Sequence, residues 1–268
     1  MVHSNGWTTE QWRAYRDSLQ KPTQTISLDT WTKYRDILKK LSDKAADEFR
    51  DAVWNINGRW KGVGLGLIPR DDLIEFAYAL VAKYGEGTAA VACELYDEMA
   101  KLSGMNLAPA VPAELPTINE VGKAINGTIK QSVNENMVSS TVGRLVKQVG
   151  QDTTVRNAIR DGAEVAWVPA GDTCAFCLTL ASRGWQYASK QIVKKGHAEH
   201  IHANCDCAYA VRFNDRTNIE GYDPDKYLKM YENAEGSTPE ERINSMRREA
   251  YAVDKKTEGS DNSELISV

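Results

Sequence analysis

The sequence predicts an α+β fold, mainly α: a helical N-terminal region, a small α/β module, and a helical, partly flexible C-terminal tail. Three observations predict it. Apolar residues recur three or four apart over most of the chain from Leu28 to Ala158, the period of amphipathic helices. Two short segments, "AEVAWVPAGDTC" and "CAYAVRF", alternate apolar and small residues instead, the period of strands. Between Cys174 and Cys207 lie four of the five cysteines and three of the four histidines.

The N-terminal region, 1–104, opens with Trp7 and Trp12 in a polar segment, where they read as interface anchors, whereas Trp31 reads as core. From Leu28 to Ile56, Trp31, Tyr34, Leu38, Leu41, Ala45, Phe49 and Val53 fall on one face of a long helix, with Ser27 or Asp29 as its cap. "GRWKGVGLGLIPRDD" then breaks the pattern. Its "GVGLG" lacks phosphate-loop spacing and follows no strand, so it reads as a turn. A second helical stripe runs through Leu73, Phe76, Leu80 and Tyr84. After "GEGT" the helical signals continue with Val91, Leu95, Met99 and Leu102. Cys93 reads as a small buried hydrophobe.

Three of the eight prolines lie in "SGMNLAPAVPAELPT", so 105–117 reads as a linker. A module over 118–213 follows, starting with two helical patterns, Ile118 to Val133 and Met137 to Ala158. "AEVAWVPAGDTC" then predicts a strand running into a turn, and "CAYAVRF" a partner strand that brings the cysteine pairs together at the strand ends. In the remainder, 214–268, Thr238, Pro239 and Glu241 form a capping box with proline at the first helical position. The last stretch, "DKKTEGSDNSELISV", reads as a frayed or partner-ordered tail.

A net charge of −4 and a pI near 5.7 argue against a protein whose main task is gripping nucleic acid. No apolar run is long enough to span a bilayer, and the N-terminus lacks a secretory pattern, so we expect no membrane and synthesis in a cytoplasm. In that reducing compartment clustered cysteines favour metal over disulfides.

Cys174 and Cys177 form a CxxC, whose spacing lets two thiolates reach one ion from a tight turn. His202, Cys205 and Cys207 form HxxCxC. Four of these five ligands complete a closed structural zinc site. Cys174, Cys177, His202 and Cys205 are the first choice, because Cys207 points the other way if a strand begins there. Exchange of Cys205 for Cys207 stays open, and His200 is a further alternative ligand. Closing the intervening loop costs about 3 kcal/mol of chain entropy, against about 10 to 16 kcal/mol that structural zinc contributes in small peptides. The module is therefore expected to be zinc-stapled, with Zn2+ in a structural role.

The competing class is a zinc-dependent nucleic-acid-processing enzyme, a nuclease or deaminase, using His197 and Glu199. "HAE" at 197–199 has the HxE spacing of zinc deaminases, but its order relative to CxxC is reversed. Four protein ligands also leave no open position for water. The expectation is therefore a protein that is not an enzyme.

"WVPAGDTCAFCLTLASRGWQYASK" followed by "HANCDCAYAVRF" resembles the C-terminal signature of tailed-phage minor capsid proteins, the Mu F-like head morphogenesis family in its actinophage-type branch. Val168, Pro169, Gly171, Thr173, Cys174, Phe176, Cys177, Leu180 to Gly184 and Tyr187 fill its "VP.G..TC.FC..LASRG..Y" element. His202, Cys205, Asp206 and Cys207 fill its "H..CDC". The resemblance covers about residues 138–213; Trp185, where the branch often has proline, and the "KQIVKKGHAEHI" insert depart from it. It implies a non-enzymatic component of the procapsid near the portal vertex. Its partners would be the portal protein and the major capsid or scaffolding protein, with packaged double-stranded DNA as a further one. It also implies several copies per virion, assembled in the host cytoplasm.

Overall fold

Ser27 starts the first long helix: its Oγ accepts the Thr30 N–H at 3.2 Å, and its carbonyl accepts the Trp31 N–H at 3.2 Å. This is the capping arrangement that satisfies otherwise orphaned N-terminal donors. A computed structural model describes residues 24–53, 69–131, 135–170, 173–189, 205–215 and 217–249. Trp7, Trp12, most of the glycine-rich turn, His197, Glu199, His200, His202 and the final tail lie outside the described residues. Among the described residues the chain groups into two compact units: Met1–Val165, Tyr187–Ala203 and Val211–Tyr222; and Ala166–Gln186, Asn204–Ala210 and Asp223–Val268.

The first unit is built on four helices: α1 (Leu28–Val53), α2 (Arg70–Leu102), α3 (Ile118–Gln131) and α4 (Glu135–Asp161). The expected stripe of α1 is its buried face, with Trp31, Tyr34, Leu38, Ala45, Phe49 and Val53 in the interior and Leu28 exposed. Ala45, Phe49 and Val53 share one core with Leu73, Ala77, Leu80 and Val81 of α2, Val121 and Ile125 of α3, and Val138, Val142, Leu145 and Val146 of α4. α4 packs along both α1 and α2. It is buried on nearly every side, with Thr141, Lys147, Gln151, Thr153, Thr154 and Asn157 inside as well as its valines. A helix surrounded by neighbours has no polar face, and for that reason its periodicity is weak in the sequence.

α2 runs unbroken through "GEGT". A Cβ on Gly85 would meet Leu115 Cδ2 and Val149 Cγ2 at 3.1 Å each, so the glycine answers to close neighbours rather than to a turn. Thr88 then fixes the crossing, its hydroxyl lying 2.9 Å from both the Gly85 and the Val146 carbonyl oxygens. Residues 105–117 carry neither helix nor strand, yet the helices on either side share the core, and the compact units divide elsewhere. Side chains of α2 and α4 hold this stretch. Asp97 accepts from Ala110 N–H at 2.8 Å, Thr153 from Ala113 N–H at 3.0 Å, and Arg160 donates to the carbonyls of Ala108 and Pro109 at 3.0 Å each.

A two-stranded parallel sheet completes the first unit. β1 (Gln24–Ile26) pairs with β5 (Thr217–Ile219) in the register Gln24 to Thr217 and Ile26 to Ile219. The carboxylate of Glu220 accepts the Leu28 N–H at 3.0 Å, a helix cap supplied from the far end of the sequence.

A three-stranded sheet has the order β3 (Gln186–Tyr187), β2 (Glu164–Val168), β4 (Ala208–Arg212). The expected pairing of the two alternating segments is present. Glu164 meets Arg212 and Trp167 meets Tyr209, so β2 and β4 run in opposite directions. In the second unit, α5 (Ala175–Ala181), α6 (Pro224–Asn233) and a helix over 239–249, α7, join through Ala175, Ala234 and Met246, with Leu178, Tyr231 and Ile243 packed around them. α7 starts at the expected capping box: Thr238 Oγ1 accepts the Glu241 N–H at 3.2 Å, and the Glu241 carboxylate accepts the Thr238 N–H at 3.1 Å. α6 escaped the sequence reading, although its signal is there. Asp223 caps it by accepting from Asp225 and Lys226 N–H, and Pro224 takes the first position.

Candidate metal centre

Local structure sets each sulfur. Cys174 is the N-cap of α5, in extended conformation at φ −64° and ψ 152°, and its Sγ accepts the Cys177 N–H at 3.5 Å. The thiol thus stands where serine or aspartate usually stands. One turn on, Cys177 faces inward. α5 is held from its other side by α7, where Thr179 Oγ1 lies 3.9 Å from Met246 Sδ. Cys205 and Cys207 come from the chain just ahead of β4. Beyond the end of β2, the Ala170 N–H donates to Cys207 Sγ at 3.4 Å, and the Thr173 hydroxyl lies 3.8 Å from the same sulfur. Thr173 also donates to the Ala170 carbonyl.

These elements bring Cys177, Cys205 and Cys207 together. Their three sulfurs lie within 4.8 Å of one another, Cys177 and Cys205 at 3.3 Å. All three residues are buried, at 2%, 6% and 3% exposure. Tetrahedral bonds of about 2.3 Å place thiolates about 3.8 Å apart round one ion, so the spacing suits a soft cation. The trio contains only sulfur, which favours a thiophilic metal over calcium or magnesium.

Electrostatics point the same way. Hydrogen bonds from Cys177 and Cys205, helped by the Ala170 N–H and Thr173, pull the Cys207 thiol down to about 3 against the cost of burial. Hydrogen bonds with Cys174, Cys205 and Cys207, with burial, push the Cys177 thiol up. For Cys205 the bond with Cys177 lowers the thiol, but Cys207 and burial outweigh it and push it up to about 12. These hydrogen bonds favour a thiolate at Cys207 over one at Cys177 or Cys205. A cation in their midst would displace the remaining thiol protons. The charge reaches α6 as well: burial raises the Tyr227 phenol, with Asp223 and Cys207 adding to it.

The structure thus unites three of the five expected ligands and places Cys174, exposed, at the lip. Cys207, the one expected to point away, belongs to the trio. β4 begins only at Ala208, so strand alternation does not govern the residue before it. His202, with the alternative ligand His200 and with His197 and Glu199, the pair of the competing enzyme reading, lies outside the described residues. Cys93 is half-buried rather than buried, and burial, then Asp97, raises its thiol. The parts played by Ala170 and Thr173 were not predicted; the only sequence signal was the adjacency of Thr173 to the CxxC.

Among families of known proteins, the one described as VG15 protein matches residues 25–234. The chain belongs to the VG15 family. This is a phage protein family, so the chain is a phage protein. The VG15 match runs from β1 to the end of α6 and includes all four clustered cysteines. No curated protein and no solved structure matches the chain. Among the described residues, no helix is long and apolar enough to cross a membrane.

Proposed function

We propose that the chain is a structural minor capsid protein of a tailed phage, acting in head morphogenesis near the portal through a module stapled by zinc. One coincidence carries the reading. The residues that resemble the Mu F-like signature are those that build the centre: Cys174 caps α5, Thr173 sits against Cys207, and Cys177, Cys205 and Cys207 converge. A motif whose members meet round one point has a physical reason to occur together, and membership of a phage family agrees with its origin.

Zinc fits the donor set best among biological cations, since it accepts tetrahedral thiolate coordination without redox demands. Cys177, Cys205 and Cys207 would hold it, with Cys174 or His202 as the fourth ligand. When bound, zinc supplies a crosslink and charge neutralisation with no position left for a reacting water. The role is accordingly non-enzymatic: the centre fixes α5 and the start of β4 as a rigid surface for assembly. The portal protein and the major capsid or scaffolding protein are the partners, and packaged double-stranded DNA lies within reach, with several copies per head.

The test is quantitative mass spectrometry of purified procapsids and virions, with chemical crosslinking. The reading expects peptides of this chain in both particles and crosslinks to portal subunits. Absence from both particles would overturn it.

A further inference from the structure

We propose that the metal centre doubles as a thiol switch, in which a peroxide-class oxidant joins Cys177 to Cys205 and expels the ion. This rests on the metal reading above. The geometry selects the pair. Cys177 and Cys205 face each other at 3.3 Å, about 1.2 Å beyond the disulfide bond length of about 2.05 Å. Cys207 has other partners: the Ala170 N–H lies at 3.4 Å and the Thr173 hydroxyl at 3.8 Å. Those two contacts keep Cys207 beside the end of β2, while the Cys177 and Cys205 sulfurs already stand 3.3 Å apart. Cys174 is exposed and serves as the N-cap of α5, so it has a separate role and the most contact with solvent.

The chemistry balances with hydrogen peroxide. One thiolate of the pair attacks peroxide, the O–O bond breaks, and a sulfenic acid and hydroxide form. The second thiolate attacks the first sulfur, the S–O bond breaks, and hydroxide leaves; both hydroxides take protons from solvent and become water. Two sulfurs lose two electrons in total, peroxide gains them, and the divalent ion departs because two of its anionic ligands are gone. A thiol reductant with fresh zinc reverses the change. The consequence is a centre that stays metal-bound in a reducing host and can lock covalently outside it.

The experiment uses the full chain, purified reduced, with bound zinc measured first. It is then titrated with hydrogen peroxide while released zinc is followed with a chromophoric chelator and disulfides are mapped by peptide mass spectrometry. The expected result is about one zinc released for each Cys177–Cys205 disulfide, with recovery of both after reductant and zinc. Retained zinc under oxidant, a Cys174–Cys177 bridge, or sulfinic acid in place of a disulfide would each overturn the switch while leaving the metal reading intact. Failure of the reduced protein to bind zinc at all would remove the metal reading and the switch with it.

Discussion

Asn157 on α4 grips both polar groups of Val111: its Oδ1 accepts the Val111 N–H at 2.9 Å, and its Nδ2 donates to the Val111 carbonyl at 2.8 Å. One side chain thus does what a neighbouring strand would do, and the proline-containing stretch 105–117 is fixed without any sheet. Val111 itself remains 60% exposed, so the attachment is through backbone rather than side chain.

Replacing Asn157 by Ala is therefore expected to destabilise the first unit by about 1–3 kcal/mol, the cost of leaving buried or half-buried polar groups unmatched. Hydrogen exchange at Val111 and Ala113 should accelerate more than exchange in α1. Unchanged exchange at both amides would show that the grip contributes nothing.

Two glycines on helices should respond in opposite directions to alanine. A Cβ on Gly143 would lie 2.9 Å from the Ser42 carbonyl oxygen of α1, so Gly143→Ala should cost about 1–3 kcal/mol through overpacking. Gly127, with nothing within 4 Å of the added carbon, should gain roughly 0.5–1 kcal/mol as alanine in the middle of α3. Denaturant unfolding of both variants tests the contrast, and the same sign for both would refute it.

The zinc reading makes a graded prediction. Wild type should carry about one zinc per chain. Cys177→Ser and Cys207→Ser should lose it, whereas Cys93→Ser should keep it. Metal analysis by inductively coupled plasma mass spectrometry, with circular dichroism to confirm that helices persist, reads both. Equal zinc in all four proteins would place the ion elsewhere.

Acid should weaken the first unit through Asp161. Arg160 donates to it at 2.7 Å and the Tyr96 hydroxyl at 2.8 Å; the Arg160 bond, then Tyr96, hold its carboxyl below the usual range against partial burial. Its folded pKa lies below the unfolded value of about 3.9. The stability it contributes is thus present above about pH 4 and is lost as pH falls through the folded pKa. Asp161→Asn should flatten the acid limb of a stability-versus-pH curve between pH 5 and 2, in the manner of about one carboxylate. An unchanged limb would assign the acid sensitivity to other groups.

Met246 links α7 to α5, the helix that carries Cys177. Met246→Ala should cost about 2 kcal/mol, at the low end for a buried methionine because the cluster it joins is small. It should also raise the rate at which a chelator strips the metal, since α5 carries Cys177. Destabilisation with unchanged chelation kinetics would separate the helix from the centre.

The sequence by itself determined the helical stripes, the two strands beside the cysteines, the capping box at Thr238 and the closeness of the two cysteine pairs. Each is local: a period of 3.6 or 2, a two-residue spacing, or a cap three residues from its partner leaves its mark within one turn of chain. Only tertiary structure decided the rest. "GEGT" puts two glycines in a helix with no local reason until Val149 and Leu115 are seen against Gly85. Residues 105–117 look like a free linker until Asn157, 46 residues on from Val111, takes hold of it. Cys207 looks surplus until Ala170 and Thr173 arrive from the end of β2. In all three cases the deciding neighbour lies tens of residues away in the chain, and a pattern of adjacent residues carries no record of it.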